Sequence, residues 1–123
     1  MNSPPFEFLG PYRIGEPLGR GGMGTVFSAV HEKTKQPVAV KLISDSVADE
    51  SKFRRRFDAE IKSLQCLSHP GIVRIYGFGE EQGHLFYSME LVRGESLQKI
   101  VKREKQLEWQ VTIDVGIQIC AAL

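Results

Sequence analysis

The chain has 123 residues, 41% of them hydrophobic and 25% charged, with a formal net charge of +1. That length supports one domain with a core of its own. The near-neutral balance provides no field that would mark nucleic acid or an anionic membrane as the main partner.

Met1-Asn2-Ser3-Pro4-Pro5 is polar and proline-bearing, unlike a signal peptide, and residues 1–11 read as a flexible lead-in. Tyr12 to Leu18 is the first expected strand, and it runs into Leu18-Gly19-Arg20-Gly21-Gly22-Met23-Gly24-Thr25-Val26. Gly19, Gly21 and Gly24 have the G-x-G-x-x-G spacing, which lets backbone N–H groups approach a phosphate closely. The spacing alone is shared by dinucleotide-binding turns and nucleoside-triphosphate loops. A dinucleotide turn opens a helix. Here Val26 to His31 is β-branched and aromatic, so the glycines sit in a hairpin between two strands.

After the polar turn Glu32 to Pro37, Val38-Ala39-Val40-Lys41-Leu42-Ile43 reads as the third strand. Side chains alternate faces, so Ala39, Lys41 and Ile43 share one face and Val38, Val40 and Leu42 the other. Lys41 is either an edge-strand lysine reaching for water or a cation held for an anion. A helix is expected from about Glu50 to Leu67, with Phe53, Phe57, Leu64 and Leu67 on one apolar stripe. Glu60 falls within that stripe, whereas Arg55 and Lys62 point away. Burying an unpaired carboxylate costs several kcal/mol, so Lys41 is the expected partner if Glu60 is not solvated at the stripe's edge. Arg54-Arg55-Arg56 reads first as a solvated face and second as a contact for a phosphorylated segment.

Two more strands are expected at Ile72 to Phe78 and His84 to Leu91. Ser96 is placed as the N-cap of a short helix reaching Val101, and Lys102 to Lys105 as a solvated linker. Leu107 to Leu123 has two apolar stripes, Trp109, Ile113, Ile117 and Cys120, and Val111, Val115, Ile119 and Ala122. Such a helix is normally buried in a larger body, so the sequence is expected to be incomplete relative to its fold, and this helix to offer a self-association surface. Cys66 and Cys120 belong to no C-x-x-C pair and are expected to be reduced, buried thiols. No metal-binding constellation surrounds His31, His69 or His84. No apolar run is long enough to span a bilayer, which makes the cytoplasm the expected location.

Taken together, these motifs resemble the N-terminal lobe of the protein kinase fold, most like the bacterial serine/threonine kinases. Gly19 to Val26 meets G-x-G-x-x-G-x-V, Val38-Ala39-Val40-Lys41 resembles V-A-I-K, Glu60 falls at the family's αC glutamate, and Met89-Glu90-Leu91-Val92 looks like its gatekeeper and hinge. His69-Pro70-Gly71-Ile72-Val73 resembles the link before the fourth strand. The implied fold is α+β, a five-stranded antiparallel sheet with one αC-type helix. The implied division is a lobe over 12–92, then the hinge exit and first helices of an incomplete second lobe over 93–123.

The implied activity is transfer of the γ-phosphate of ATP to protein Ser/Thr hydroxyls, with Mg²⁺ in the complete domain. Backbone N–H groups of Gly19, Arg20, Gly21, Gly22, Met23 and Gly24 would cover the phosphates. Val26 and Ala39 would pack on the adenine, and the backbone of Glu90 and Val92 would bond its edge. Leu18 and Met89 complete the nucleotide set. Lys41 would bind the α- and β-phosphates and pair with Glu60 in the active arrangement, while Leu64 and Ile75 would belong to an apolar spine. The motifs H-R-D-x-x-x-x-N, D-F-G and A-P-E do not occur in the chain. The catalytic base and metal ligands are therefore expected elsewhere, and no turnover is expected from these residues alone. The alternative is a non-catalytic kinase-like module that binds nucleotide or a partner.

Overall fold

The computed structural model describes residues 6–21, 24–44 and 51–123. It divides into two compact units, Met1–Ser68 with Arg74–Leu91, and His69–Val73 with Val92–Leu123.

The first unit is built on strands β1 (Phe8–Leu9), β2 (Tyr12–Gly21), β3 (Gly24–His31), β4 (Pro37–Ile43), β5 (Ile75–Glu81) and β6 (His84–Glu90). They form one antiparallel sheet in the order β1-β2-β3-β4-β6-β5. The sheet has six strands rather than the expected five. The addition is β1, within the segment read as a flexible lead-in; its Leu9 is completely buried. Ile14 donates its N–H to Glu7 O (2.9 Å), and the Arg13 guanidinium lies over the Phe8 ring. β5 begins at Ile75, not Ile72, because Ile72 N–H is already committed to a turn with His69 O (3.1 Å).

The two faces of the sheet carry separate cores, as the alternation of β4 requires. On one face Leu9, Ile14, Phe27, Ala29, Val38, Val40 and Phe86 pack together, with Leu42 against them. On the other, Ile43 and Leu85 meet Phe57 and Ile61 of helix α1 (Ser51–Gln65), with Phe53, Ile75 and Tyr87 alongside. Ser88 is fully buried, but its hydroxyl is hydrogen-bonded to Tyr12 Oη (2.8 Å) and Gly77 O (3.4 Å), so its polar atom is not stranded.

In the second unit, α2 (Leu97–Glu104) starts at Ser96, whose Oγ accepts from Lys99 N–H (3.2 Å). Lys102 to Glu104 complete this helix instead of forming a linker, and Arg103 is paired with Glu95. Helix α3 (Trp109–Ala122) exposes Trp109, Ile113, Ile117 and Ile119. Cys66 and Cys120 are both exposed free thiols, contrary to expectation: Cys66 follows the end of α1 and Cys120 lies in α3, which has no buried residue. No helix among the described residues is long and apolar enough to cross a membrane.

Candidate functional site

Cross-strand register assembles the site. Val26 of β3 faces Lys41 of β4, which faces Tyr87 of β6; Ser28 faces Ala39, which faces Met89. Directly opposed residues share a face. Val26, Ala39, Lys41 and Met89 thus form a patch on the face that α1 partly covers. Ala39 is buried, while Val26, Lys41 and Met89 are half-buried. Burial pushes the neighbouring Tyr87 phenol above its ordinary pKa. Lys41 stands between apolar neighbours, and among the described residues it has no ion pair.

The glycine hairpin borders this patch. Pairing of β2 with β3 continues through Gly19↔Val26 and Arg20↔Thr25 to Gly21↔Gly24; Gly22 and Met23 lie outside the described residues. The glycines are not equivalent. A Cβ on Gly24 would stand 1.9 Å from Leu42 O, so the close approach of β3 to β4 requires glycine there. A Cβ on Gly19 or Gly21 would meet nothing within 4 Å among the described residues. Neither packing nor a positive φ demands glycine at those two positions, and their backbones are open to a ligand.

Helix α1 carries Glu60, but Glu60 is exposed and makes no ion pair with Lys41. The phase of the helix explains the difference from expectation. Its buried residues are Phe57 and Ile61, and Phe53 completes an i, i+4, i+8 line. Leu64 and Leu67, expected in the buried stripe, are 39% and 47% exposed. Rotation toward Ile61 carries Glu60 out to water. Arg54 pairs with Glu80 of β5, and Gln65 Nε2 donates to Tyr76 O (3.2 Å), so both ends of the helix are tied to one strand. Arg55 and Arg56 are exposed, as is Lys62. Ile75 packs beside the Ile61 cluster.

At the end of β6, Glu90 donates its N–H to Arg74 O (2.8 Å), and its carboxylate accepts from Arg74 N–H (3.2 Å). Val92 belongs to the second unit and is 64% exposed. Leu18 and Arg20 are exposed on β2. The residues not singled out from sequence are Ile61, whose i+4 spacing from Phe57 was available as a signal, and Tyr87, whose place opposite Lys41 had none.

Residues 12–123 match the family described as the protein kinase domain. The chain belongs to the protein kinase family. It is 37% identical over 117 residues to the serine/threonine-protein kinase PknH of Mycobacterium bovis, covering 95% of this chain and 20% of that protein. It is 38% identical over 115 residues to PknD of Mycobacterium tuberculosis, covering 94% of this chain and 17% of that protein. The crystal structure of the Mycobacterium tuberculosis PknI kinase domain superposes with a TM-score of 0.79 at 28% identity, over 91% of this chain and 45% of that one. This kinase-family chain therefore spans about a fifth of the length of these curated relatives. Its sheet and α1 have the architecture of the family's N-terminal lobe, followed by part of the second lobe.

Proposed function

We propose that the first unit is the ATP-holding part of a serine/threonine protein kinase. The observation that carries this reading is the placement of Lys41 beside Val26, Ala39 and Met89 on one sheet face, next to a hairpin whose Gly19 and Gly21 are required by no contact among the described residues. Val26 and Ala39 supply an apolar surface for the adenine, Met89 borders it, and the backbone carbonyl of Glu90 offers an acceptor for its polar edge. Leu18 borders the nucleotide, and the backbone of Gly19, Arg20, Gly21 and Gly24 covers the phosphates. The Lys41 ammonium takes up phosphate charge as a compact donor.

In a kinase reaction ATP supplies the γ-phosphoryl group for a protein hydroxyl, and catalysis is mostly positioning and charge stabilisation. Under this reading Lys41 orients the phosphate chain and the hairpin excludes water above it. Glu60, exposed in this structure, pairs with Lys41 only after α1 turns inward. Among the described residues no three His, Cys, Asp or Glu side chains converge on a metal site. In the kinase family Mg²⁺ neutralises charge on the phosphates, and the chain's own part in this reading is confined to binding and orienting the nucleotide. ATP titration of the protein and of Lys41→Met tests the proposal, and it also separates a kinase lobe from a partner-binding module without nucleotide.

A further inference from the structure

Strand β2 does not run evenly beside β3. Ile14 pairs with Ala29 and Gly19 with Val26, so β2 takes five residue steps where β3 takes three. The register shifts fall on either side of Pro17, which has no N–H to donate. Such a bulge leaves backbone groups without ladder partners and re-aims the strand that follows. The strand that follows is the glycine hairpin.

One side chain repairs the gap. Ser28 Oγ accepts a hydrogen bond from Glu16 N–H (3.0 Å) and donates one to Glu16 O (3.3 Å). A single hydroxyl thus satisfies both backbone groups of the bulged residue. Gly15 makes room for it: a Cβ there would fall 2.8 Å from Ser28 Oγ and 3.1 Å from Ser28 O. Gly15 and Ser28 therefore form a matched pair, one supplying the space and the other the donor and acceptor. Ser28 stands opposite Ala39, on the proposed nucleotide face.

We propose that Ser28 is a positioning residue for ATP: its clip on Glu16 fixes the bulge that sets where Leu18 and Gly19 stand over the nucleotide. This inference rests on the ATP reading above. Loss of the clip need not unfold the sheet, because Glu16 is exposed and water can replace the lost bonds. What it removes is the unique register of the hairpin, since a strand that slips by one residue turns its side chains to the other face.

The test uses the full-length protein, Mg-ATP and a generic protein acceptor. Ser28→Ala is expected to raise the Kd and KM for ATP about 2- to 10-fold, the equivalent of one ordinary hydrogen bond, with kcat nearly unchanged. Ser28→Thr, which keeps the hydroxyl, restores the affinity. Gly15→Ala, which crowds the hydroxyl, reproduces the defect. A lowered melting temperature with the KM for ATP unchanged in both Ser28→Ala and Gly15→Ala would make the pair merely structural and overturn the proposal. ATP binding that Ser28→Ala leaves intact overturns this inference alone. Failure of the unsubstituted protein to bind ATP overturns the nucleotide reading as well.

Discussion

Leu9→Ala tests whether the segment before Tyr12 is a working part of the sheet. Leu9 lies in a two-residue strand but has no exposed surface, and it packs in the core of Phe27, Val38, Val40 and Phe86. Truncating a buried leucine costs about 2–5 kcal/mol, from lost transfer energy and the cavity left behind. An edge strand this short can collapse onto the void, which places the expected cost near the lower limit, about 2–3 kcal/mol. For a unit of this size that loss lowers the melting temperature by roughly 10–20 °C. Thermal unfolding followed by circular dichroism reads the shift directly. Val30→Ala is the control: Val30 is 38% exposed in the same sheet, and its truncation should cost less than about 1 kcal/mol. A Leu9→Ala protein that melts within about 2 °C of the parent would show that β1 does not hold the outer core and refute the reasoning.

Two other outcomes follow from the same contacts. Glu60→Gln should leave the melting temperature unchanged, since Glu60 is exposed and unpaired with Lys41 here, yet lower phosphoryl transfer by the full-length protein; a large thermal shift would mean that α1 is already turned inward. The hydrogen bond from Arg103, reinforced by its charge, holds the Glu95 carboxylate below its ordinary value of 4.5. The pair's contribution is therefore present above the unfolded carboxylate's range and is lost as the pH falls through the lower, folded value. An NMR titration of Glu95 should give a midpoint below 4.5 that rises in Arg103→Gln; equal midpoints would rule out the pair in solution.

Most of the sheet was legible because its strands alternate. The β-branched run after Gly24 marked a hairpin, and the alternation in Val38 to Ile43 placed Lys41 and Ala39 on a common face, which the register with Val26 and Met89 bears out. β1 was not legible, since two residues carry no period. The phase of α1 was missed for another reason. Phe53 and Phe57 fit either continuation, Ile61 or Leu64, and packing against Ile43 and Leu85 decides for Ile61. Glu60 moves to the solvent with that choice. The bulge opposite Ser28 depends on pairing between distant strands, and only Pro17 hinted at it in the sequence.

The central claim is that Lys41 and the glycine hairpin hold ATP. Calorimetric titration of the full-length protein and of Lys41→Met with Mg-ATP tests it most directly. Met keeps the length and apolar stem of the side chain, so the strand between Val26 and Tyr87 should be undisturbed. A charge-assisted hydrogen bond contributes about 1.5–3 kcal/mol, so the account predicts saturable binding that weakens about 10- to 150-fold in the variant. Equal affinity in the two proteins, or no binding by either, would contradict it.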